Sequence, residues 1–152
     1  MSILNNIIAI LDAGNMYYEK LEHAPVYTSE QAAEIRDASL DTGAKALVFL
    51  ADKKPILVVV PGDKRANLSK IKKRLGVKDL RMATREQVEE LTTLKPGSIP
   101  PVGTAMGLPS YYDESFRDKD KVAFNAGSLT VSIIMSAQDL LNIEKPVLFD
   151  LV

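Results

Sequence analysis

The sequence contains no cysteine, a single histidine and no apolar run as long as a membrane helix, which needs roughly 20 residues. The absence of cysteine excludes disulfides, thiolate metal sites and a cysteine nucleophile, and it fits a cytoplasmic protein. The first residues also lack the basic lead and the small-residue cleavage site of a secretory signal. We therefore expect a cytoplasmic protein that makes no contact with a membrane.

The common catalytic and cofactor motifs are missing as well. A nucleophilic triad needs a base beside a serine or a cysteine, and the chain has no G-x-S-x-G turn to carry such a serine. One histidine with carboxylates is a poor zinc site, and there is neither a P-loop nor a G-x-G-x-x-G segment. The sequence therefore predicts no metal and no cofactor, and it offers no protein nucleophile.

What the chain does have is an ordinary size and an uneven charge. Its 152 residues fit one domain over 1–152, long enough to bury roughly 70% of the surface that the unfolded chain exposes. The net charge is −1, but nine basic residues and one acidic residue lie between Lys64 and Arg85. This basic segment (64–85) is either a surface that binds a polyanion or only a solvated helix face, and charge alone does not separate the two.

Hydrophobic spacing and capping residues predict a mixture of helices and strands. Two β-branched apolar runs within 45–60, separated by a turn, indicate a central hairpin that is buried on both faces. Residues 17–22 suit a short strand or an extended arm, and 107–120 are polar and turn-rich. The predicted helices cover 2–13, 29–37, 67–75, 84–91 and 136–141, and the other strands 80–82, 121–127 and 129–135. This order predicts an α+β fold with a mixed sheet.

Lys45 stands where the first strand of this hairpin begins, after the turn residues Thr42 and Gly43. We expect its ammonium in a cleft at the edge of the core, where a charge needs either a carboxylate partner or a function. A surface lysine paired with Asp41 or Asp52 is the simpler alternative.

Two further segments stand out. The rigid segment (95–103) holds three prolines and two glycines in nine residues. It cannot form regular structure and is too stiff for a flexible linker, so we expect it to keep a fixed backbone shape. The other is a turn of small residues, Asn125–Ser128.

These features, in this order, resemble the YbaK family of aminoacyl-tRNA deacylases, which includes the editing domain inserted in bacterial prolyl-tRNA synthetase. The resemblance covers most of the chain, and it rests on the order of the motifs, since none of them is specific alone. The matching segments are 23–26 (HAPV), 28–33 (TSEQAA), 43–47 (GAKAL), 60–65 (VPGDKR), 75–76 (LG), 83–84 (AT), 97–103 (GSIPPVG) and 125–127 (NAG).

The resemblance implies a mixed, partly closed β-sheet or barrel with flanking helices. It also implies a free-standing trans-editing hydrolase that removes a small, wrongly attached amino acid from tRNA, with tRNA-Pro as one expected carrier, and that needs no metal. The family's lysine falls on Lys45 and its G-x-x-x-P loop on Gly97–Pro101. The terminal ribose hydroxyl would help to position or activate a water, while the protein supplies orientation and charge stabilisation.

On this resemblance we expect Lys45 and Gly97 to be catalytic. Lys45 would anchor the substrate or stabilise charge on the carbonyl, and a role as general base is less favoured because it needs a strongly depressed pKa. The expected substrate-binding residues are His23, Thr28, Ser98, Pro101, Val102, Gly103, Asn125, Ala126, Gly127 and Ser128. The expected tRNA contacts are Lys64, Arg65, Lys70, Lys73 and Arg81.

Simpler roles stay open for two of these residues. His23 could be a hydrogen-bonded structural residue before a proline turn, and Asn125 could only pin its own turn. Some family members carry a histidine two residues after Gly127, where this chain has Leu129, a difference that bears on substrate choice.

The expected partner is mischarged tRNA, with an aminoacyl-tRNA synthetase as a second. One alternative is a non-catalytic module of the same fold that binds tRNA or a synthetase. Another is hydrolysis of a different small aminoacyl ester without help from the basic segment. The sequence leaves the amino acid, the tRNA and the oligomeric state open.

Overall fold

The computed structural model describes residues 2–152, and over this range it contains five α-helices and eight strands in two sheets. The helices are α1 (Ile3–Ala13), α2 (Ser29–Arg36), α3 (Leu68–Leu75), α4 (Arg85–Thr92) and α5 (Ala137–Glu144). The strands are β1 (Tyr18–Glu22), β2 (Ala44–Ala51), β3 (Lys54–Pro61), β4 (Leu80–Met82), β5 (Ser110–Asp113), β6 (Lys121–Asn125), β7 (Val131–Ser136) and β8 (Val147–Phe149). Within this range no helix is both long and apolar enough to span a bilayer.

The larger sheet is mixed and has the strand order β4-β2-β3-β5-β8. Its β2–β3 hairpin and β4 are antiparallel, whereas β5 runs parallel to β3 and β8 parallel to β5. The smaller sheet, β1-β7-β6, is antiparallel throughout. The two sheets meet at a parallel bridge between Gly43 and Ala123, without closing into a complete barrel. The predicted α+β fold with a mixed sheet is confirmed.

The β2–β3 hairpin is central, and its strands pair continuously from Ala44 with Pro61 to Ala51 with Lys54. Residues 56–61 of β3 are buried on both faces of the sheet. The start of β2 alternates, so that Lys45 is half-buried and its two neighbours along the strand are buried. Successive side chains of a strand point to opposite faces. Regular strand geometry therefore sets the direction of the Lys45 side chain.

Side-chain caps fix the starts of the helices. Four capping side chains each accept a hydrogen bond from the main-chain amide three residues further on: Thr28, Asn67, Thr84 and Ser136. The reciprocal bond of a capping box is present at Thr84. The sequence 28–31 (TSEQ) also has the capping-box pattern and predicts the same pair of bonds. Here the reciprocal bond is not formed, because the Gln31 side chain accepts from the Tyr27 amide instead, over 2.9 Å.

Two strands, β5 and β8, are absent from the sequence-based prediction. Residues 110–113 form β5 inside the segment predicted to be turn-rich, and Tyr112 is fully buried there. That prediction is wrong because β5 is stabilised by parallel pairing with distant strands, which local composition does not report. Of the two predictions for residues 17–22, the strand is confirmed, because residues 18–22 form β1. Strand β7 begins at Val131 rather than at the predicted Leu129.

Candidate active site

A cavity of about 160 Å³ lies between α2, the start of β2 and the end of β6. Small side chains form much of its wall and leave the space open: Ala32, Ala33, Ala38, Gly43, Ala44, Ala46, Gly62 and Ala123. Its other lining residues include Thr28, Arg36, Lys45, Gly97 and Asn125. No carboxylate is among the described lining residues, so the charges that face the cavity are positive. Residues 2–152 contain no cluster of three acidic or histidine side chains placed to hold a metal ion.

Lys45 lines this cavity without a carboxylate on its ammonium. Its Nζ donates a hydrogen bond of 2.9 Å to the main-chain oxygen of Lys64, and none of the ion pairs within residues 2–152 includes it. The two acids of the simpler alternative are engaged elsewhere. Asp41 lies 3.7 Å from the ammonium of Lys119, and Asp52 accepts from two main-chain amides. The interpretation of Lys45 as a surface ion pair with either acid is therefore wrong.

The surroundings of Lys45 act on its charge. Burial, followed by the positive charge of Arg65, lowers the pKa of Lys45, while Glu30 and Asp63 oppose this shift. An ammonium has three N–H donors, and Lys64 accepts from one of them. The other donors are left for the oxygen atoms of a ligand.

Gly97 is the exposed residue of the rigid segment that lines the cavity. Its φ of 90° lies in a region that side-chain-bearing residues rarely adopt. Its carbonyl accepts from Nδ2 of Asn125 over 2.6 Å, and the next carbonyl, that of Ser98, accepts from the Gly127 amide over 3.0 Å. Within residues 2–152 no hydrogen bond uses the Gly97 amide as donor. This N–H is therefore without an acceptor among the described residues.

The other end of the rigid segment is packed into the core. The hydroxyl of Tyr112 donates to the Pro101 carbonyl, and a carboxylate oxygen of Glu144 accepts from the Gly103 amide over 2.6 Å. Pro101, Val102 and Gly103 are buried and do not line the cavity. The structure thus gives these three residues a packing role, and no contact with the cavity supports their predicted binding of substrate.

Four of the predicted catalytic and substrate-binding residues line the cavity together: Lys45, Gly97, Thr28 and Asn125. The predicted residues outside the lining are His23, Ser98, Pro101, Val102, Gly103, Ala126, Gly127 and Ser128. Ala126 is fully buried, and the hydroxyl of Ser128 lies 3.0 Å from that of Thr130. Roles of these residues in substrate binding stay predictions.

Both ring nitrogens of His23 are engaged inside the protein. Nδ1 lies 2.8 Å from the Ala24 carbonyl and Nε2 lies 2.7 Å from the hydroxyl of Ser132. A carbonyl only accepts, so Nδ1 carries the hydrogen, and in the neutral ring Nε2 accepts from the hydroxyl. This arrangement fits the structural interpretation of His23 and leaves neither nitrogen for a substrate.

Arg36 is a cavity residue that the sequence-based reasoning missed. Its Nε donates to the Ser132 hydroxyl over 2.9 Å, and its Nη2 donates to Oδ1 of Asn125 over 2.8 Å. It is the last residue of α2 and follows Ser29 and Ala32 at helical spacing, on the face that lines the cavity. The sequence signal that could have predicted Arg36 is a basic residue at the end of a helix face made of small residues.

The basic segment is exposed, and only part of its charge is paired. Lys70 lies 2.7 Å from Asp150, and Arg81 lies 2.8 Å from Asp79. Exposed pairs of this kind contribute little to stability and are easily replaced by other anions. Three predicted tRNA contacts make no ion pair within residues 2–152: Lys64, Arg65 and Lys73. Binding of tRNA by this segment stays a prediction.

Comparisons with known proteins identify the family. The model of the aminoacyl-tRNA editing domain matches residues 23–143. The chain is 32% identical over 145 residues to the multifunctional Ser/Thr-tRNA deacylase ProXp-y of Escherichia coli strain K12, which covers 92% of this chain and 87% of the relative. It is 27% identical over 146 residues to the prolyl-tRNA editing protein ProX of Acetoanaerobium sticklandii, and this match covers 91% of this chain and 88% of the relative.

A solved structure agrees with this relationship. The crystal structure of a candidate trans-editing enzyme for prolyl-tRNA synthetase matches with a TM-score of 0.84 and 28% sequence identity, over 99% of this chain and 97% of the other. The family match covers well over half of the chain, and the agreement in fold extends over nearly all of it. The chain therefore belongs to the aminoacyl-tRNA editing domain family.

Proposed function

We propose that the protein is a free-standing aminoacyl-tRNA deacylase that hydrolyses mischarged tRNA in trans. One observation carries the proposal: Lys45, half-buried and without an acidic partner in the described chain, lines the same cavity as the exposed Gly97. Membership of the editing family supports the reaction class, as do relatives named as a deacylase and an editing protein. In this proposal residues 1–152 act as one editing unit.

The two catalytic residues have separate tasks. Lys45 binds phosphate or ribose oxygens of the terminal nucleotide through the donors that Lys64 leaves unused. The amide of Gly97 donates to the ester carbonyl as negative charge develops on its oxygen. Because glycine has no side chain, the ester can approach this amide closely. Orientation and charge stabilisation are thus the protein's contribution, and Lys45 does not act as a base.

The free hydroxyl of the terminal ribose, which lies beside the ester, positions the attacking water. Water adds to the carbonyl carbon, the bond to the ribose oxygen breaks, and this oxygen takes up a proton. The products are a free amino acid and an uncharged tRNA. The described lining of the cavity contains no carboxylate, imidazole or thiol, and the reaction that we propose uses neither a metal nor a cofactor.

A small amino acid fits this site. The cavity is about 160 Å³ and has walls of alanine and glycine. Cδ2 of Leu129 would lie 3.8 Å from a Cβ on Gly97, so an apolar side chain stands beside the glycine. Such a pocket acts as a second sieve that admits small residues and excludes larger ones. Because one relative is named for Ser/Thr-tRNA and another for prolyl-tRNA, we include serine, threonine and tRNA-Pro among the proposed substrates.

The basic segment is the proposed contact for the phosphates of the tRNA acceptor end. Its proposed contacts are Lys64, Arg65, Lys70, Lys73 and Arg81. A phosphate can replace the exposed carboxylates that now pair with Lys70 and Arg81. An aminoacyl-tRNA synthetase is a second proposed partner, and the cytoplasm is the proposed compartment of the reaction.

A panel of tRNAs mischarged with alanine, cysteine, serine or threonine tests the proposal. We expect the wild type to release at least one of these amino acids. Lys45→Ala should slow the release by about 10²-fold or more, the scale for the loss of one group that stabilises charge, with an unchanged circular dichroism spectrum. The matched control Lys121→Ala removes an exposed lysine at the start of β6 and should keep full activity. A wild type that binds tRNA but releases nothing would instead be a non-catalytic module.

A further inference from the structure

The guanidinium of Arg36 is fixed in the cavity wall by groups from two neighbouring strands. Its Nε and Nη2 donate to the Ser132 hydroxyl on β7 and to Oδ1 of Asn125 on β6, over 2.9 and 2.8 Å. A longer contact of 3.5 Å joins Nη1 to the Ala123 carbonyl. Ser132 and Asn125 are direct partners in the antiparallel register of these strands. Arg36 therefore bridges the two strands at the point where they border the cavity.

Among residues 2–152 this cation has no carboxylate partner. None of the ion pairs within the described chain includes Arg36, and burial lowers its pKa to about 10, so that it is still protonated at neutral pH. A partly buried charge without a counter-ion is costly unless hydrogen bonds satisfy it. The bonds to Ser132 and Asn125 thus hold the guanidinium in one place, and they equally hold the groups that accept them.

The consequence for Asn125 is a single side-chain orientation. A guanidinium only donates, so the atom of the Asn125 amide that faces Arg36 must be the oxygen. The amide nitrogen then points the other way, to the Gly97 carbonyl, 2.6 Å away. If Asn125 turned over, its nitrogen would face the cation and its oxygen would face a carbonyl, and both hydrogen bonds would be lost.

We propose that Arg36 is a positioning residue for deacylation. It orients Asn125, and through Asn125 it holds the Gly97 carbonyl, and with it the Gly97 amide, at the cavity. This inference rests on the proposed function. In this proposal Arg36 contacts neither the attacking water nor the ester. It acts on the reaction only through the geometry of Gly97, on which stabilisation of the carbonyl charge depends.

Arg36 supports the position of Gly97 and is not needed to hold the whole rigid segment in the fold, because other contacts hold the rest of that segment. Its buried end is held by Tyr112 and Glu144, neither of which contacts Arg36. Loss of Arg36 therefore weakens the support of the Gly97 carbonyl, while the Gly127 amide still holds the Ser98 carbonyl and the buried end stays in place. The expected result is a folded protein with a misplaced donor, and a displacement of about 1 Å at such a site can cost about 10²-fold in rate.

Arg36→Met is the first test, since methionine keeps much of the length of the side chain but donates no hydrogen bond. We expect kcat for a mischarged tRNA to fall by about 10²-fold with a much smaller change in KM, because Lys45 and the basic segment, the proposed contacts for the terminal nucleotide and the tRNA, are left unchanged. Arg117→Met, which removes an exposed arginine far along the chain, is the matched control and should behave as the wild type. A kcat for Arg36→Met within twofold of the wild type would overturn the inference.

A double-mutant cycle tests whether Arg36 acts through Asn125. Asn125→Ala should lower kcat by a similar factor, and the double variant should be no slower than the slower single variant, because both changes break one chain of contacts. Independent, multiplying effects would contradict the proposed route. Arg36→Ala should regain part of its kcat when guanidinium ion is added at millimolar concentration, and Arg117→Ala should not respond.

A spectroscopic readout needs no catalysis. In the wild type the side-chain amide protons of Asn125 should exchange slowly in ¹⁵N–¹H spectra, because Gly97 accepts from this group. In Arg36→Met they should exchange much faster, with the rest of the spectrum preserved. An Asn125 amide that is unchanged in Arg36→Met overturns the inference even if the wild type proves inactive. An inactive wild type with the expected change in Asn125 would overturn the proposed function and with it the role in deacylation, while the orientation of Asn125 by Arg36 would stand.

Discussion

The ammonium of Lys45 donates to the main-chain oxygen of Lys64 over 2.9 Å, and this bond joins the cavity to the first residue of the basic segment. The contact uses the backbone rather than the side chain of Lys64, so the positive side chain of Lys64 is left for other anions. A nucleic acid that contacts Lys64 would therefore reach Lys45 without having to break an ion pair of either lysine. The location suits a residue that receives the end of a polyanion.

Lys45→Met should increase stability while it removes deacylation. Burial lowers the pKa of Lys45, so the folded state holds this proton less tightly than the unfolded state does. The charged side chain thus disfavours folding at neutral pH, and methionine removes the charge at a similar length. We expect a higher Tm at pH 7, on a scale where 1 kcal/mol corresponds to roughly 2–4 °C for a chain of this size.

The difference in Tm should shrink in alkaline solution. The penalty in the wild type disappears as the pH rises through the lowered pKa of Lys45 towards the unfolded value of about 10.4. Calorimetry of both proteins at pH 7 and in this alkaline range measures the effect, with Lys72→Met, at an exposed position, as the control. A Tm for Lys45→Met at or below that of the wild type at pH 7 would contradict the expectation.

Gly103→Ala should destabilise the fold more than a surface glycine substitution does. A Cβ on Gly103 would clash with the Leu108 carbonyl oxygen and lie 2.9 Å from a carboxylate oxygen of Glu144. We expect the free energy of unfolding to fall by about 1–3 kcal/mol, which is typical of overpacking. Urea denaturation measures it. Gly14→Ala is the control, because its Cβ would meet nothing closer than 3.4 Å. Equal free energies of unfolding for the two variants would contradict this expectation, and would show that the atoms around Gly103 can move to accept a Cβ at no cost.

Lys73→Ala should weaken the salt dependence of tRNA binding. Each phosphate contact contributes a slope of about −0.9 to a plot of log K against log salt concentration for a duplex, and about −0.7 for a single strand. Loss of one contact should therefore make the slope shallower by about that amount. Titration of uncharged tRNA at several salt concentrations gives the slope. An unchanged slope would place the tRNA elsewhere, and Lys121→Ala is the control for non-specific charge effects.

The sequence predicts those elements that depend on local signals. Thr84 caps its helix because the capping pattern is complete within four residues, and the apolar runs of β2 and β3 are separated by only Asp52 and Lys53. Positive φ values of 47° and 70° at these two residues match the two-residue turn of a hairpin. Position 45 follows from the same pattern, since strand alternation alone directs its side chain.

The parts that sequence reasoning missed depend on distant partners. Arg36 contacts Ser132 and Asn125, which lie 96 and 89 positions further along the chain, and no local pattern joins them. The contact of Gly103 with Glu144, which brings a carboxylate from α5 onto the buried end of the rigid segment, is likewise invisible in the local sequence. The prolines of a segment predict that its backbone is rigid. Which of its residues line a cavity and which are buried depends on contacts with residues distant in sequence.

Gly97→Ala should slow deacylation strongly. The accompanying loss of stability should equal that of Gly107→Ala, a substitution of a glycine outside the cavity. Gly97 has a φ of 90° and Gly107 a φ of 72°, and a Cβ at either position would meet no atom closer than 3.8 Å. Both substitutions therefore introduce the same kind of backbone strain, about 1–3 kcal/mol, without a steric clash. Only Gly97 lines the cavity, so relaxation of that strain should turn its amide away from the ester and slow deacylation by about 10²-fold.

Gly107→Ala should keep its deacylation rate despite a similar loss in Tm. Single-turnover rates with a mischarged tRNA, measured beside thermal unfolding of both variants, separate the two effects. Equal rates for the two variants would mean that the Gly97 amide does not stabilise the reacting carbonyl, and the site would then have to act through Lys45 alone. A slow Gly97→Ala variant beside an active Gly107→Ala variant ties the rate to the backbone geometry of one residue, which is the role that its open amide and its place in the cavity support.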